Sequence, residues 1–416
     1  MKDLNGNSLR LICLLLSCPG LGIAAQHASE ADLLQKAEAA FRSGDASQAS
    51  ALAQQVLKAN PGSANPHMIL GVIAARRGDW REATKSFEAV IRLSPSNSHG
   101  HFYLGQAYLS QQKWEKAALC LSKALALRYP DRQRLAVDLA VAENEASHPE
   151  RALSHLQSVS VPANGLLAAQ YHAVTGLAHA NLNQPGQAIE AFQRAGEIDD
   201  SNPGYRELLI SALISTDQTS KALAEAIRAQ RRFPDHPEIQ FLFGFTSYYI
   251  PYNRFTKLAL RNLREAQPDS PRTVLMEGLV HRKEGHIEEA SRAFTLAAER
   301  GVPEAFLLLG ITSKESGDYP KAERMLLEAE KLNPRNGQAL VELGKVYLAQ
   351  GKVAEALDRL QRAEACMPFS PGLQYQLHRA YSRLGQKEKS THHLVLFQKL
   401  QQERGEFSQP SSKGVQ

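Results

Sequence analysis

Apolar and polar positions follow a helical period along this chain, interrupted at regular intervals by turn residues. The stretch "GDWREATKSFEAVIRLSP" (78–95) shows one cycle. Gly78 ends one helix, and the next carries Ala83, Phe87 and Val90 on a single face before Pro95 stops it. The same punctuation returns at a fixed interval: Pro61 precedes Pro95 by 34 positions, and Gly71 precedes Gly105 by 34. Further on, Gly310 precedes Gly344 and Pro334 precedes Pro368 by that same 34. Each cycle predicts two antiparallel helices. Neither can bury its apolar face alone, so neighbouring cycles must stack.

The best copies carry a specific pattern. Residues 340–368 contain Leu340-x2-Leu343-Gly344-x2-Tyr347, then Ala356-x3-Leu360, then Ala363 and Pro368. Ala83-x3-Phe87, Ala188-x3-Phe192 and Ala290-x3-Phe294 repeat the second half. This resembles the tetratricopeptide repeat, with units beginning near residues 30, 64, 98, 133, 169, 203, 237, 271, 303, 337 and 371. The resemblance covers most of the chain and implies an all-α fold, a right-handed superhelical α-solenoid of about ten to eleven hairpins. Small residues such as Gly71 and Ala83 would let the two helices of a unit approach, and Phe87, Phe192 and Phe294 would fill the space between them. The unit at 133–166 lacks the glycine but keeps Leu139, Ala152 and Leu156. The repeats are expected over 26–404, with capping helices over 371–404 whose outer side is polar. Residues 405–416, "GEFSQPSSKGVQ", have the composition of a disordered tail.

Aromatic residues concentrate in one place: "FLFGFTSYYIPYNRF" (241–255) holds seven of the chain's 28. The resemblance implies that the first helix of each unit lines a concave surface. In the unit at 237 that transfer places Phe241, Phe245, Tyr248 and Tyr249 in the groove, with Phe243 as a core residue, and Pro251 stands where other units have their turn glycine. A packed core is the competing reading. It is favoured by Ala259-x3-Leu263, which matches the alanine–phenylalanine pattern three residues late, where strict spacing has Thr256. The same transfer makes the N-terminal half of the surface apolar, through Met68, Val72, Phe102 and Leu109. It makes the C-terminal half basic, through Arg282, Lys283, Lys314, Lys345, Arg379 and Arg383, offset by Glu304 and Glu315. If these cations act in binding, they favour an acidic or carboxylate-bearing partner. The Lys/Asn clamp of some cytosolic chaperone-binding members is absent.

The first 25 residues differ in character. Lys2 and Arg10 precede the apolar run Leu11–Leu16, then Pro19-Gly20 and the small residues of "GIAAQ". That is the layout of a secretory leader, and the run is too short to span a bilayer as a helix. Cleavage is expected after Ala25. The stretch "LLSC" (15–18) resembles a bacterial lipobox, which would instead lipidate Cys18 and tie the protein to a membrane. Either route places the mature chain outside the cytoplasm, secreted, periplasmic or associated with an outer membrane. Only Cys120 and Cys366 then remain, and two thiols cannot build a disulfide framework. The formal charge of +5 is small for 416 residues and no run of Lys/Arg gathers it, so no nucleic-acid stripe is predicted.

Catalytic and metal motifs are not found. "HRKEGH" (281–286) lacks the His-Glu-x-x-His order of zinc proteases, and His99 and His101 point to different sides of a helix. His67, His101 and His172 occupy the consensus tryptophan position, which predicts packed rings. No phosphate-cradling glycine loop, nucleophile elbow or paired-carboxylate constellation occurs. The expectation is a scaffold without enzymatic activity, cofactor or metal that binds a protein or peptide partner in its groove. The alternative is a membrane-tethered subunit of an envelope machine serving polysaccharide secretion, pilus assembly or outer-membrane biogenesis.

Overall fold

The computed structural model describes residues 26–163, 165–248 and 254–408, which form helices and no strand. The first hairpins pair α1 (Gln26–Ser43) with α2 (Ala46–Ala59), α3 (Ala64–Arg76) with α4 (Trp80–Leu93), and α5 (Ser98–Ser110) with α6 (Trp114–Ala126). Then come α7 (Arg132–Glu145) with the short α8 (Pro149–Gln157), and α9 (Leu166–Asn181). These make one compact unit, which ends at Asn181. The second unit starts at Leu182 with α10 (Pro185–Ile198). It continues with hairpins α11 (Pro203–Ser215)–α12 (Thr219–Arg232), α13 (Pro237–Tyr248)–α14 (Arg254–Ala266) and α15 (Pro271–Lys283)–α16 (Ile287–Glu299). The last three are α17 (Glu304–Glu315)–α18 (Tyr319–Leu332), α19 (Gly337–Ala349)–α20 (Val353–Cys366) and α21 (Pro371–Arg383)–α22 (Lys387–Ser408).

The hairpins close by one device. A residue just after the first helix takes a left-handed conformation, as at Gly44, Gly78, Gln112, Ser147, Asp217, Gly285, Gly317, Gly351 and Gly385. The following residue returns its N–H to the carbonyl five positions back, as in Asp79 N to Ala74 O at 3.0 Å. Where that residue is aspartate, its carboxylate also caps the second helix, as Asp79 does for Glu82 N at 3.0 Å. A side chain in the left-handed region is strained by about 1 kcal/mol, which explains the glycine at most of these turns.

First and second helices are buried differently. In α4 the buried residues Ala83, Ser86, Phe87, Ala89 and Val90 form one stripe. In α13 every residue from Ile239 to Ser247 is buried. The first helices are covered by their own partner, by the preceding second helix and by neighbouring first helices. Close approach requires glycine at specific points: a methyl group added at Gly71 would lie 2.5 Å from a ring carbon of Phe87. The unit at 133–166 manages without it, because Ala140 sits fully buried in that place beside Leu139, Ala152 and Leu156.

Within the second unit the chain also meets itself far along. The turn residue Asn183 donates Nδ2 to Ala365 O at 2.6 Å, and Ser370 Oγ donates to Asp217 Oδ2 at 2.8 Å. At the end, α22 runs through Ser408, past the predicted limit near 404 and into the segment expected to be disordered. The leader (1–25), residues 409–416 and the stretch 249–253, with Tyr249, Pro251 and Tyr252, lie outside the described residues.

Candidate partner-binding face

The nearly complete burial of the first helices decides what they can offer a partner. Phe241 and Phe245, expected on an open groove, are core residues only 3% and 6% exposed, with ring centroids 5.8 Å apart. Arg272, arriving from the next first helix, lays its guanidinium 4.9 Å from the Phe241 ring centroid. Phe102 is corrected in the same way: it is 3% exposed and stacks on Tyr129 at 4.2 Å. Met68 and Val72 are buried as well. The rings of Phe241 and Phe245 lie in one continuous buried stretch of α13, and among the described residues neighbouring side chains cover them. Tyr248 is half-buried, and its hydroxyl accepts a hydrogen bond from Arg282.

Polar side chains occupy what remains of the first-helix surface in the second unit. A spacing of one repeat brings equivalent residues of adjacent hairpins together, and a ladder results. Arg282 bridges from Tyr248 to Glu315, with Nε 3.2 Å from Oε2. Lys283 donates Nζ to Tyr248 O at 2.7 Å and to Ser247 O at 3.3 Å, capping the end of α13. Glu342 takes Lys314 on one oxygen and Lys345 on the other, the latter at 2.6 Å. Arg379 donates to Gln376 at 3.1 Å, and Arg383 donates to Leu348 O.

Charge follows from this geometry. Burial would raise the Glu342 carboxyl, but the cations of Lys345 and Lys314 outweigh it and hold the group below its ordinary value. Burial lowers the Lys283 ammonium. Six cations therefore lie along α15, α17, α19 and α21, and two carboxylates, Glu315 and Glu342, pair with three of them. Lys345, Arg379 and Arg383 stay partly or fully exposed. Such a stripe can receive carboxylates by charge-assisted hydrogen bonds.

The remaining candidates are structural. His101 Nε2 lies 2.9 Å from Pro95 O in a buried position, and burial pushes His99 down to about 4. Cys120 and Cys366 are half-buried, and burial raises both thiols, Cys120 to about 11, away from reactivity. Sequence reasoning missed Glu342, because a carboxylate inside the apolar run "ALVELGKVYL" carries no signal of its two lysine partners.

Stacked two-helix hairpins on a 34-residue period define an α-solenoid repeat protein. The family model described as tetratricopeptide repeat matches residues 34–98, 70–128, 102–165 and 307–371. Over those residues the chain carries tetratricopeptide repeats. It is 34% identical over 166 residues to TPR repeat-containing protein MJ1428 of Methanocaldococcus jannaschii, a match covering 39% of this chain and 29% of that one. It is 23% identical over 246 residues to the putative cellulose synthase operon protein C of Escherichia coli O157:H7, covering 59% of this chain and 20% of that one. The chain thus spans less than a third of the length of either curated relative. Among solved structures it is similar to the APC/C hetero-tetramer Cut9-Hcn1 (16% identity, TM-score 0.49, covering 96% of this chain and 90% of that one). It is also similar to yeast Tom70 (12% identity, TM-score 0.37, covering 90% of this chain and 92% of that one).

Proposed function

We propose that the chain is a non-enzymatic protein-interaction scaffold whose second unit receives an acidic, extended partner segment along the cations of α19 and α21. The observation that carries this reading is the excess of six cations over the three carboxylates Glu304, Glu315 and Glu342 on successive first helices. Lys345 and Arg379 stand one repeat apart, at 34 residues, with Arg383 one helical turn beyond Arg379. A segment with carboxylates at matching intervals would meet several donors at once. Tyr248 is an accessory contact at the far end of the ladder, and the buried rings of Phe241, Phe245 and Phe102 act through packing.

Binding of a fluorescently labelled glutamate-rich decapeptide, read by anisotropy at low and high salt, tests this. The expected result is saturable binding that weakens with salt. It should also weaken at least about tenfold in the variant Lys345→Gln, Arg379→Glu, Arg383→Glu. Glutamine is chosen at 345 because glutamate there would face Glu342. Equal binding by that variant, or equal capture of a serine-rich control peptide, overturns the assignment.

Export belongs to this reading and is supported by the leader-like pattern of residues 1–25. The similarity to a protein named for a cellulose synthase operon favours a second reading, a subunit of an envelope machine for polysaccharide secretion. Mass spectrometry of the mature N-terminus separates them. A diacylglyceryl group on Cys18 supports the tethered subunit, and a free N-terminus at Gln26 supports a soluble adaptor.

A further inference from the structure

The hairpin turn does more than reverse the chain. Its N–H to carbonyl bond over five residues holds two side chains face to face, one from the last turn of the first helix and one at the start of the second. Several repeats use this pair for a local contact. Lys113 lies 5.8 Å from the Tyr108 ring, Lys352 lies 5.4 Å from the Tyr347 ring, and His148 Nδ1 lies 3.2 Å from Glu143 Oε2. At the α15–α16 turn the pair is His281 and His286. His286 N donates to His281 O at 2.9 Å, and the two rings stand 6.0 Å apart. Between them, Glu284 directs a carboxylate oxygen to 3.8 Å from His286 Nδ1. A ligand atom from each of the three lies within 4.8 Å of the others.

We infer that His281, Glu284 and His286 form a surface binding site for a borderline divalent transition metal such as Zn²⁺, Co²⁺ or Ni²⁺. Two imidazoles and one carboxylate are a donor set suited to these ions, and a water completes the coordination. Tetrahedral ligands at about 2.0–2.1 Å from zinc stand roughly 3.3 Å from each other, so the side chains must draw together by at most about 1.5 Å. Glu284 and His286 are exposed and can make that movement by rotation about their own bonds, while the turn holds the backbone. A second observation points the same way: the buried Nδ1 of His281 has no hydrogen-bond partner among the described residues. The site escaped the sequence pattern because His281 belongs to α15 whereas His286 sits in the turn, as the cap residue of α16. The spacing His-x2-Glu-x-His is set by a left-handed Gly285 (φ 84°) and not by one helical face. Lys257 Nζ, 2.6 Å from Glu284 Oε1, competes with the ion and keeps the affinity below that of a dedicated structural site.

The test is titration of tag-free full-length protein with CoCl₂, followed by visible absorption and by calorimetry. One ion per chain is expected to saturate with an absorption band in the range of low-coordinate cobalt. His286→Asn and His281→Asn are each expected to weaken binding at least about tenfold. His286 is exposed, so its variant stays folded even if the half-buried His281 variant does not; thermal melting without metal verifies this. Absence of one-site saturation up to millimolar cobalt overturns the inference. So does binding that His286→Asn leaves unchanged, which would mark adventitious attachment to other histidines.

Discussion

The hairpin of α3 and α4 and the hairpin of α13 and α14 share one geometry with different contents. In the first, Ala83, Ser86, Phe87 and Val90 are buried on the second helix, and the Phe87 ring fills the space left by Gly71. In the second, the equivalent residues are Thr256, Ala259, Leu260 and Leu263, all buried. Leu260 stands where Phe87 does. The space at Gly244 is instead closed by Ala259 and by Met276, which comes from the following first helix. The repeat therefore fixes where volume is needed but not which residue supplies it. Methionine suits this task because its unbranched chain adapts to irregular gaps.

The largest difference should come from truncating the filler. Phe87→Ala is expected to destabilise its hairpin by about 3–5 kcal/mol and Leu260→Ala by about 2–4 kcal/mol, since Met276 can collapse into the second cavity. Urea midpoints with hydrogen exchange over each hairpin measure both. An equal or larger loss for Leu260→Ala would show that Met276 is not the filler. Next in size, Gly71→Ala and Gly244→Ala should each cost about 1–3 kcal/mol through overpacking. Phe87→Leu should recover part of the first loss. Met276→Ala should recover less of the second, because the Cβ of Ala259 remains 2.7 Å from the added methyl. Smallest is the hydroxyl of Thr256, buried without a hydrogen-bond partner among the described residues. Thr256→Ala should be neutral or stabilising by up to about 1 kcal/mol, whereas Ala83→Thr in the other hairpin should destabilise. A loss of thermal stability in Thr256→Ala would reveal a partner for that oxygen.

The same pair of hairpins shows how far the sequence could be read. Helix positions and the phase of the repeat were legible, because glycines, alanines and prolines recur at 34 residues for steric reasons. The late match Ala259-x3-Leu263, which favours a packed core, would also need the second helix displaced by three residues. The structure corrects this: α14 keeps strict phase, with Thr256 in the alanine place, because a threonine side chain fits there at the cost of its hydroxyl. Depth was not legible. Periodicity identifies a stripe, but whether Phe241 meets solvent depends on Arg272, one repeat away, and no local pattern reports that. The His281–His286 juxtaposition was hidden for a related reason, since a turn and not a helix creates it.

Two contacts made early in the second unit tie distant parts of the coil together. Asn183 and Asp217 touch the stretch from Ala365 to Ser370, so the coil is latched by two polar bonds at 2.6 and 2.8 Å. Each such bond contributes about 0.5–1.5 kcal/mol net, so the two together supply about 1–3 kcal/mol towards holding these stretches together. Contacts at sequence separations of 182 and 153 residues thus depend on turn residues, and a substitution at either turn can loosen the coil while every hairpin stays folded.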